Sequence, residues 1–259
     1  MNLKKLSGYH IKYIALFSML LDHIGVIFQS SLSKTMYFLL RAIGRLSFPL
    51  FCFILVEGFF HTGNRKKYQH RLFIFAILSE IPYDLAFGYL HFDTVNIPYL
   101  ISHLQYPVYS SLSALFLSAF QQQNVLFTLF LGFTAMLCLE KIQKSHPISV
   151  MEVITVLLIF CCLSEVFRVD CGAAGILCIL AFYYTYKKRG NSIRLPLKNS
   201  LIGIAPVALL TNLSLFPVQL FSLADSLILR CYNGKKGTGN KYLFYLFYPL
   251  HLLLLYLFH

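Results

Sequence analysis

Tryptophan is missing from the 259 residues, and Asp, Glu, Lys and Arg together supply only 12% of them, against 58% apolar residues. That is too little charge to clothe a water-soluble globule of this length. No small-residue cleavage site follows the first apolar run, which is longer than a signal-peptide core, so the run is expected to stay as an anchor. Internal repeats, low-complexity tracts and linkers are also lacking, and a single domain over 1–259 is the simplest organisation. The seven cysteines, at 52, 138, 161, 162, 171, 178 and 231, show no metal-ligand spacing. They are expected to be free buried thiols, with no metal site.

What the sequence does contain is a series of apolar runs, each near the 20 or so residues that cross a bilayer. Their lengths and periods predict an all-α, polytopic membrane protein with about nine transmembrane helices, at 10–30, 36–60, 72–90, 122–140, 149–167, 170–186, 199–214, 216–232 and 242–258. With the amino terminus inside and the carboxyl terminus outside, 18 of the 22 Lys and Arg residues fall on the inner side, in loops or at the inner ends of spans. This is the bias that sets orientation in a cell membrane. The net charge of +12 is therefore a topology signal, joined by attraction to anionic headgroups, and gives no reason to expect nucleic acid. The outer segment 91–108 carries no Lys or Arg, and a short external or re-entrant helix is expected from Tyr109 up to the polar break Gln121-Gln122-Gln123-Asn124.

Inside the first apolar run stands Asp22-His23. Ionisable side chains at membrane depth are expensive, and lipid cannot solvate them. At about 1.5 Å of rise per residue, Asp22, His23 and Arg45 fall in one layer near the bilayer midplane. Glu80, Asp84, Asp225 and His251 reach similar depths, Glu80 and Asp84 share a helical face across Pro82, and Asn124 needs hydrogen-bond partners of its own. Such a set is expected to line a polar midplane cavity. Glu57 and Arg41, nearer the ends of their spans, are expected to snorkel toward water. Histidine is the side chain best suited to take a proton near neutral pH, which makes Asp22-His23 the candidate catalytic pair. Adjacent helical residues point about 100° apart, however, so the group that holds His23 is either Asp22 or a carboxylate of another helix. Arg45 is a candidate for stabilising an oxyanion or holding a phosphate, and pairing with a carboxylate would argue against the first role.

Seven segments in this order carry a resemblance to a known family: MLLDHIG at Met19–Gly25, IGRLSFPLFCFILVEGFFHTGN at Ile43–Asn64, KYQHRLFIFAILSEIPYDLAFG at Lys67–Gly88, QNVLFTLFLG at Gln123–Gly132, DCGAAG at Asp170–Gly175, YNGKKG at Tyr232–Gly237 and FYLFYPLHLLLLYL at Phe244–Leu257. The chain resembles TraX, the multi-pass membrane family named for acetylation of conjugative pilin, which is similar to the wider group of transmembrane acyltransferases. That resemblance implies transfer of an acetyl or short acyl group from cytoplasmic acyl-CoA to an amine or hydroxyl of a peptide, glycan or lipid acceptor, a pilin amino terminus included. It also implies that Asp22 and His23 are the catalytic pair, with acetyl-CoA as co-substrate and the bilayer as partner. Asn233, Gly234, Lys235 and Lys236 combine a tight turn with two cations and are the candidate site for the donor's phosphates. The rival readings are a transporter or flippase that uses the polar layer as a pathway, and a membrane scaffold. Internal duplication, the usual mark of a transporter, is not seen, and a scaffold has no need of His and several carboxylates at one depth.

Overall fold

The computed structural model describes residues 5–89, 121–188, 196–210, 216–239 and 241–259. The helices are α1 (Gly8–Ile27), α2 (Lys34–Gly44), α3 (Ser47–His61), α4 (Arg65–Ala86), α5 (Val125–Ser145), α6 (Val150–Val166), α7 (Gly172–Lys188), α8 (Leu197–Leu210), α9 (Phe216–Gln219), α10 (Asp225–Arg230) and α11 (Lys241–Phe258). Among the described residues the only extended pairings are two isolated bridges, Leu6 with Tyr232 and Gln123 with Val169. The all-α expectation therefore holds. The expected segments at 91–108 and 109–120 lie outside the described residues.

Among the described residues three stretches are long and apolar enough to cross a membrane: Gly8–Ile27, Lys34–His61, which joins α2 to α3 through a bend at Arg45-Leu46, and Val125–Ser145. Leu197–Leu210 and Phe244–Phe258 are apolar but shorter. The expected span 216–232 is not one helix: it divides into α9, a 3₁₀ turn over Leu220–Ala224, and α10. Polar groups turned inward cause the break. Gln219, Ser222 and Asp225 are all buried, and the Ser222 hydroxyl donates to the Gln219 carbonyl at 2.7 Å, competing with regular helix bonding.

The outward faces are apolar, the reverse of a soluble protein. On α4, Ile74, Ile77, Leu78 and Ile81 recur at the i, i+3, i+4, i+7 spacing and are all exposed. Phe17, Val150, Leu158, Leu210 and Leu254 continue this surface on other helices. Apolar area on that scale belongs against lipid. The interior gathers around α7, which packs against α3, α5, α6 and α8. Its residues Ile176, Cys178, Ile179, Phe182 and Tyr183 are fully or almost fully buried. Phe60 of α3 stacks on Tyr183 and Tyr186 at 5.5 and 4.9 Å between ring centroids, which adds to the area they bury.

The basic loops meet at one end of the bundle. The start of α1 is hydrogen-bonded to the 231–237 loop, Arg65 at the start of α4 pairs with Glu140 near the end of α5, and Lys187 at the end of α7 donates to Gln143 of α5. At the opposite end Gln123 exchanges backbone bonds with the 168–170 turn at 3.0 and 2.9 Å, and the Tyr89 hydroxyl donates to Gln122 at 2.9 Å. All seven cysteines are free, Cys52 and Cys178 buried and Cys162 exposed.

Candidate functional site

The site begins with the start of α1. Ser7 is its N-cap and forms a reciprocal capping box with His10. The next backbone N–H groups, of Gly8 and Tyr9, donate to the carbonyls of Lys235 and Lys236 at 2.8 and 3.0 Å, so the 231–237 loop satisfies donors that a helix start leaves open. Gly234 and Gly237, with φ of 74° and 76°, make the turns this wrapping needs. Asn233 accepts from the Lys235 N–H at 2.8 Å, while the Lys235 and Lys236 side chains stay exposed. The four candidate donor-binding residues thus form one compact loop whose backbone fixes α1.

About four turns further along α1, Asp22 and His23 point to different helices. Asp22 faces α2, where Arg41 donates to Oδ2 at 2.8 Å and Arg45 to Oδ1 in a closer contact. The two arginines are four residues apart, so their forks leave one face of α2 together. Arg45 also donates through Nε to the Arg41 carbonyl at 3.3 Å, at the bend into α3. Gly44 makes this approach possible, because a Cβ there would run into the Asp22 carboxylate. Arg41 is buried and bound to Asp22, which corrects the expectation that it snorkels to water. Its i, i+4 spacing from Arg45 was the sequence signal for that. Pairing also weighs against Arg45 as a free oxyanion donor.

His23 faces α11. Its Nδ1 lies 2.8 Å from Nε2 of His251, the ring planes only 6° apart. His251 in turn sets Nδ1 2.7 Å from the carbonyl of Phe247, one turn earlier on the same helix, and the Phe247 ring lies parallel to it with centroids 4.9 Å apart. Phe87 meets the His23 ring edge-on at 5.4 Å. The partner that holds His23 is therefore neither Asp22 nor another carboxylate. It is a second histidine.

Asp22, His23, Arg41 and Arg45 line a cavity of about 630 Å³. Its other walls come from the start of α3, the ends of α4 and α6, the start of α7, and residues that include Gln122, Val207 and Gln219. These residues place the cavity toward the end of the bundle away from the basic loops. The turn before α7 contributes Asp170 and Cys171. Arg168 and Cys171 hold left-handed φ values of 49° and 63°, and the turn is fixed by Gln123 and by the Thr128 hydroxyl, which donates to the Asp170 carbonyl. Asp170 is a cavity residue that was not among the sequence candidates, and its signal in DCGAAG is a carboxylate just before a glycine-led helix.

The other candidates stand outside the cavity wall. Glu80 accepts from the Asn124 side chain and, at 3.3 Å, from its backbone N–H, and Asn124 also donates to the Ala76 carbonyl at 2.8 Å. Asn124 N-caps α5 as well, its side chain accepting from the Leu126 N–H at 3.0 Å. Glu80 and Asn124 thus bind α4 to α5. Asp84 is buried on α4, and Asp225 is fully buried at the start of α10 with neither carboxylate oxygen hydrogen-bonded among the described residues. His251 reaches the cavity through His23.

Residues 7–259 match the family described as TraX protein. The chain belongs to the TraX family. It is also similar to the probable fimbrial assembly protein FimC, serogroup H1, of Dichelobacter nodosus, at 32% identity over 256 residues that cover 96% of this chain and 94% of that protein. No solved structure matches.

Proposed function

We propose that this member of the TraX family is a membrane-embedded acyltransferase that moves an acetyl or short acyl group from acyl-CoA to an amine or hydroxyl of a membrane-associated or exported acceptor. The observation that carries the reading is His23, set in the wall of a 630 Å³ cavity beside a doubly paired carboxylate and hydrogen-bonded from behind by His251. In the proposed step the acceptor's N–H or O–H proton passes to Nε2 of His23 while its nitrogen or oxygen bonds to the thioester carbonyl carbon. The tetrahedral adduct collapses with cleavage of the C–S bond, and the departing CoA thiolate takes the proton from His23. Asp22 holds Arg41 and Arg45 at the cavity, leaving the cluster with one net positive charge near the developing oxyanion.

The exposed side chains of Lys235 and Lys236 suit the phosphates of acetyl-CoA, which is a co-substrate in this scheme. They sit at the opposite end of α1 from His23, 15 residues or roughly 22 Å from Gly8 along the helix axis. The donor's thioester arm would have to cover that rise within the bundle. The Dichelobacter relative is named a probable fimbrial assembly protein, and a fimbrial subunit or a pilin amino terminus fits the acceptor chemistry of this scheme.

The test is release of free thiol from acetyl-CoA by the purified protein, with and without fimbrial or pilin subunit, together with mass analysis of the subunit. Acceptor-dependent thiol release and an added acetyl mass are expected. A folded protein that binds acetyl-CoA yet releases no thiol with peptide, glycan or lipid acceptors would defeat the reading.

A further inference from the structure

We infer that His251 is a positioning residue that locks His23 in the tautomer with Nδ1 protonated and Nε2 bare, through the chain Phe247 carbonyl, His251, His23. The use of that bare nitrogen as a base rests on the acyl-transfer reading; the tautomer itself does not.

The assignment follows from which atoms can donate. A carbonyl oxygen only accepts, so the 2.7 Å contact to Phe247 puts a proton on Nδ1 of His251. Among the described residues neither ring contacts a carboxylate, because Asp22 is taken by Arg41 and Arg45. A buried imidazolium without a counter-charge is costly, and Arg41 and Arg45 nearby make it costlier. His251, buried against Phe247 and Tyr248, is therefore neutral, and its Nε2 carries a lone pair. The 2.8 Å contact between that nitrogen and Nδ1 of His23 needs one proton, and only His23 can supply it. His23 is then left with its lone pair on Nε2, and no hydrogen bond to Nε2 is present among the described residues.

Three features hold the chain in place. Phe247 and His251 are separated by one helical turn, which lets the imidazole fold back on the carbonyl. The parallel Phe247 ring fixes its plane, and the packing of α11 against α1 and α4 brings it to His23. When His23 takes a proton at Nε2, its Nδ1–H bond to His251 becomes charge-assisted and steadies the cation until the proton leaves. A carboxylate would do this more strongly. It would also bring a negative charge into a cavity meant to stabilise an oxyanion, whereas a neutral imidazole orients the base without one.

The test is the tautomer of His23, read from imidazole ¹⁵N resonances of [¹⁵N]histidine-labelled protein in detergent. His23 is picked out among the nine histidines by the signals lost in His23→Gln. The wild type should show Nδ1 protonated and Nε2 bare. His251→Leu, which removes the acceptor, should shift His23 toward the Nε2–H form and lower acetyl transfer at least about tenfold, part of the 10²–10⁴-fold that positioned proton transfer contributes. His251→Gln, whose Oε1 can accept the same N–H, should keep the wild-type tautomer and recover transfer relative to His251→Leu. A wild-type His23 carrying its proton on Nε2, or a tautomer unchanged in His251→Leu, would overturn the inference. If His251→Leu does not accumulate as folded protein, the wild-type tautomer decides alone. A wild type with the expected tautomer but no thiol release would sink the acyl-transfer reading and leave the tautomer assignment standing.

Discussion

Gly44 and Asp22 are in a relationship of space: the missing Cβ of one is the room occupied by the carboxylate of the other. α1 and α2 therefore approach closely at the level where both arginines reach Asp22. Gly44→Ala should destabilise the protein by about 1–3 kcal/mol, the usual cost of overfilling a packed contact. At Gly63 a Cβ would meet nothing within 4 Å, so Gly63→Ala should stay within about 0.5 kcal/mol of wild type. Thermal unfolding of both variants in detergent checks the contrast.

The Asp22 cluster should respond asymmetrically to truncation. Asp22→Ala leaves Arg41 and Arg45 buried without their shared counter-ion, and a loss of about 3–5 kcal/mol is expected. Arg41→Met or Arg45→Met leaves Asp22 with one partner and should cost clearly less. Equal losses for all three, measured by thermal unfolding, would mean that the charge balance does not hold this corner together.

Side-chain and backbone roles separate in the 231–237 loop. Lys235 and Lys236 hold α1 through their carbonyls, so Lys235→Ala with Lys236→Ala should leave thermal stability unchanged. The same double variant should weaken acetyl-CoA binding, with a shallower salt dependence than wild type. Unchanged donor affinity in a titration would leave these lysines as topology signals.

Reporter fusions near Lys144 and at His259 should lie on opposite sides of the membrane, the first inside. The loops rich in Lys and Arg gather at one end of the bundle, where Arg65 meets Glu140 and Lys187 meets Gln143. Equal accessibility of the two fusions would break the inside assignment of that end.

How much of this was legible in the sequence varies with the range of the interaction. That Asp22 and His23 need partners inside the bundle could be read locally, because charge inside an apolar run must be matched. Their divergence could be read too, from the 100° step between neighbours on a helix. The common face of Arg41 and Arg45 lay in their four-residue spacing, yet Arg41 was placed by its distance from the span end, a weaker guide than the partner available across α1. His23 with His251 spans 228 residues, and nothing in one sequence fixes the register of α11 against α1. Depth alone put the two at one level along with Glu80, Asp84 and Asp225, and depth cannot say which side of a helix faces the cavity. The broken span at 216–232 escaped for a related reason: its apolar count satisfied a membrane helix, while Gln219, Ser222 and Asp225 are turned into the interior and the Ser222 hydroxyl bonds the Gln219 carbonyl.

The central claim is that His23 accepts the proton in acyl transfer, and the measurement closest to it is acetyl transfer by His23→Ala, with acetyl-CoA binding and thermal stability followed on the same preparation. Transfer should fall on the order of 10²–10⁴-fold. Donor binding should persist, because Lys235 and Lys236 lie at the other end of α1, and the protein should remain folded. Near-normal transfer by folded His23→Ala protein would contradict the account and move the chemistry to another group of the bundle.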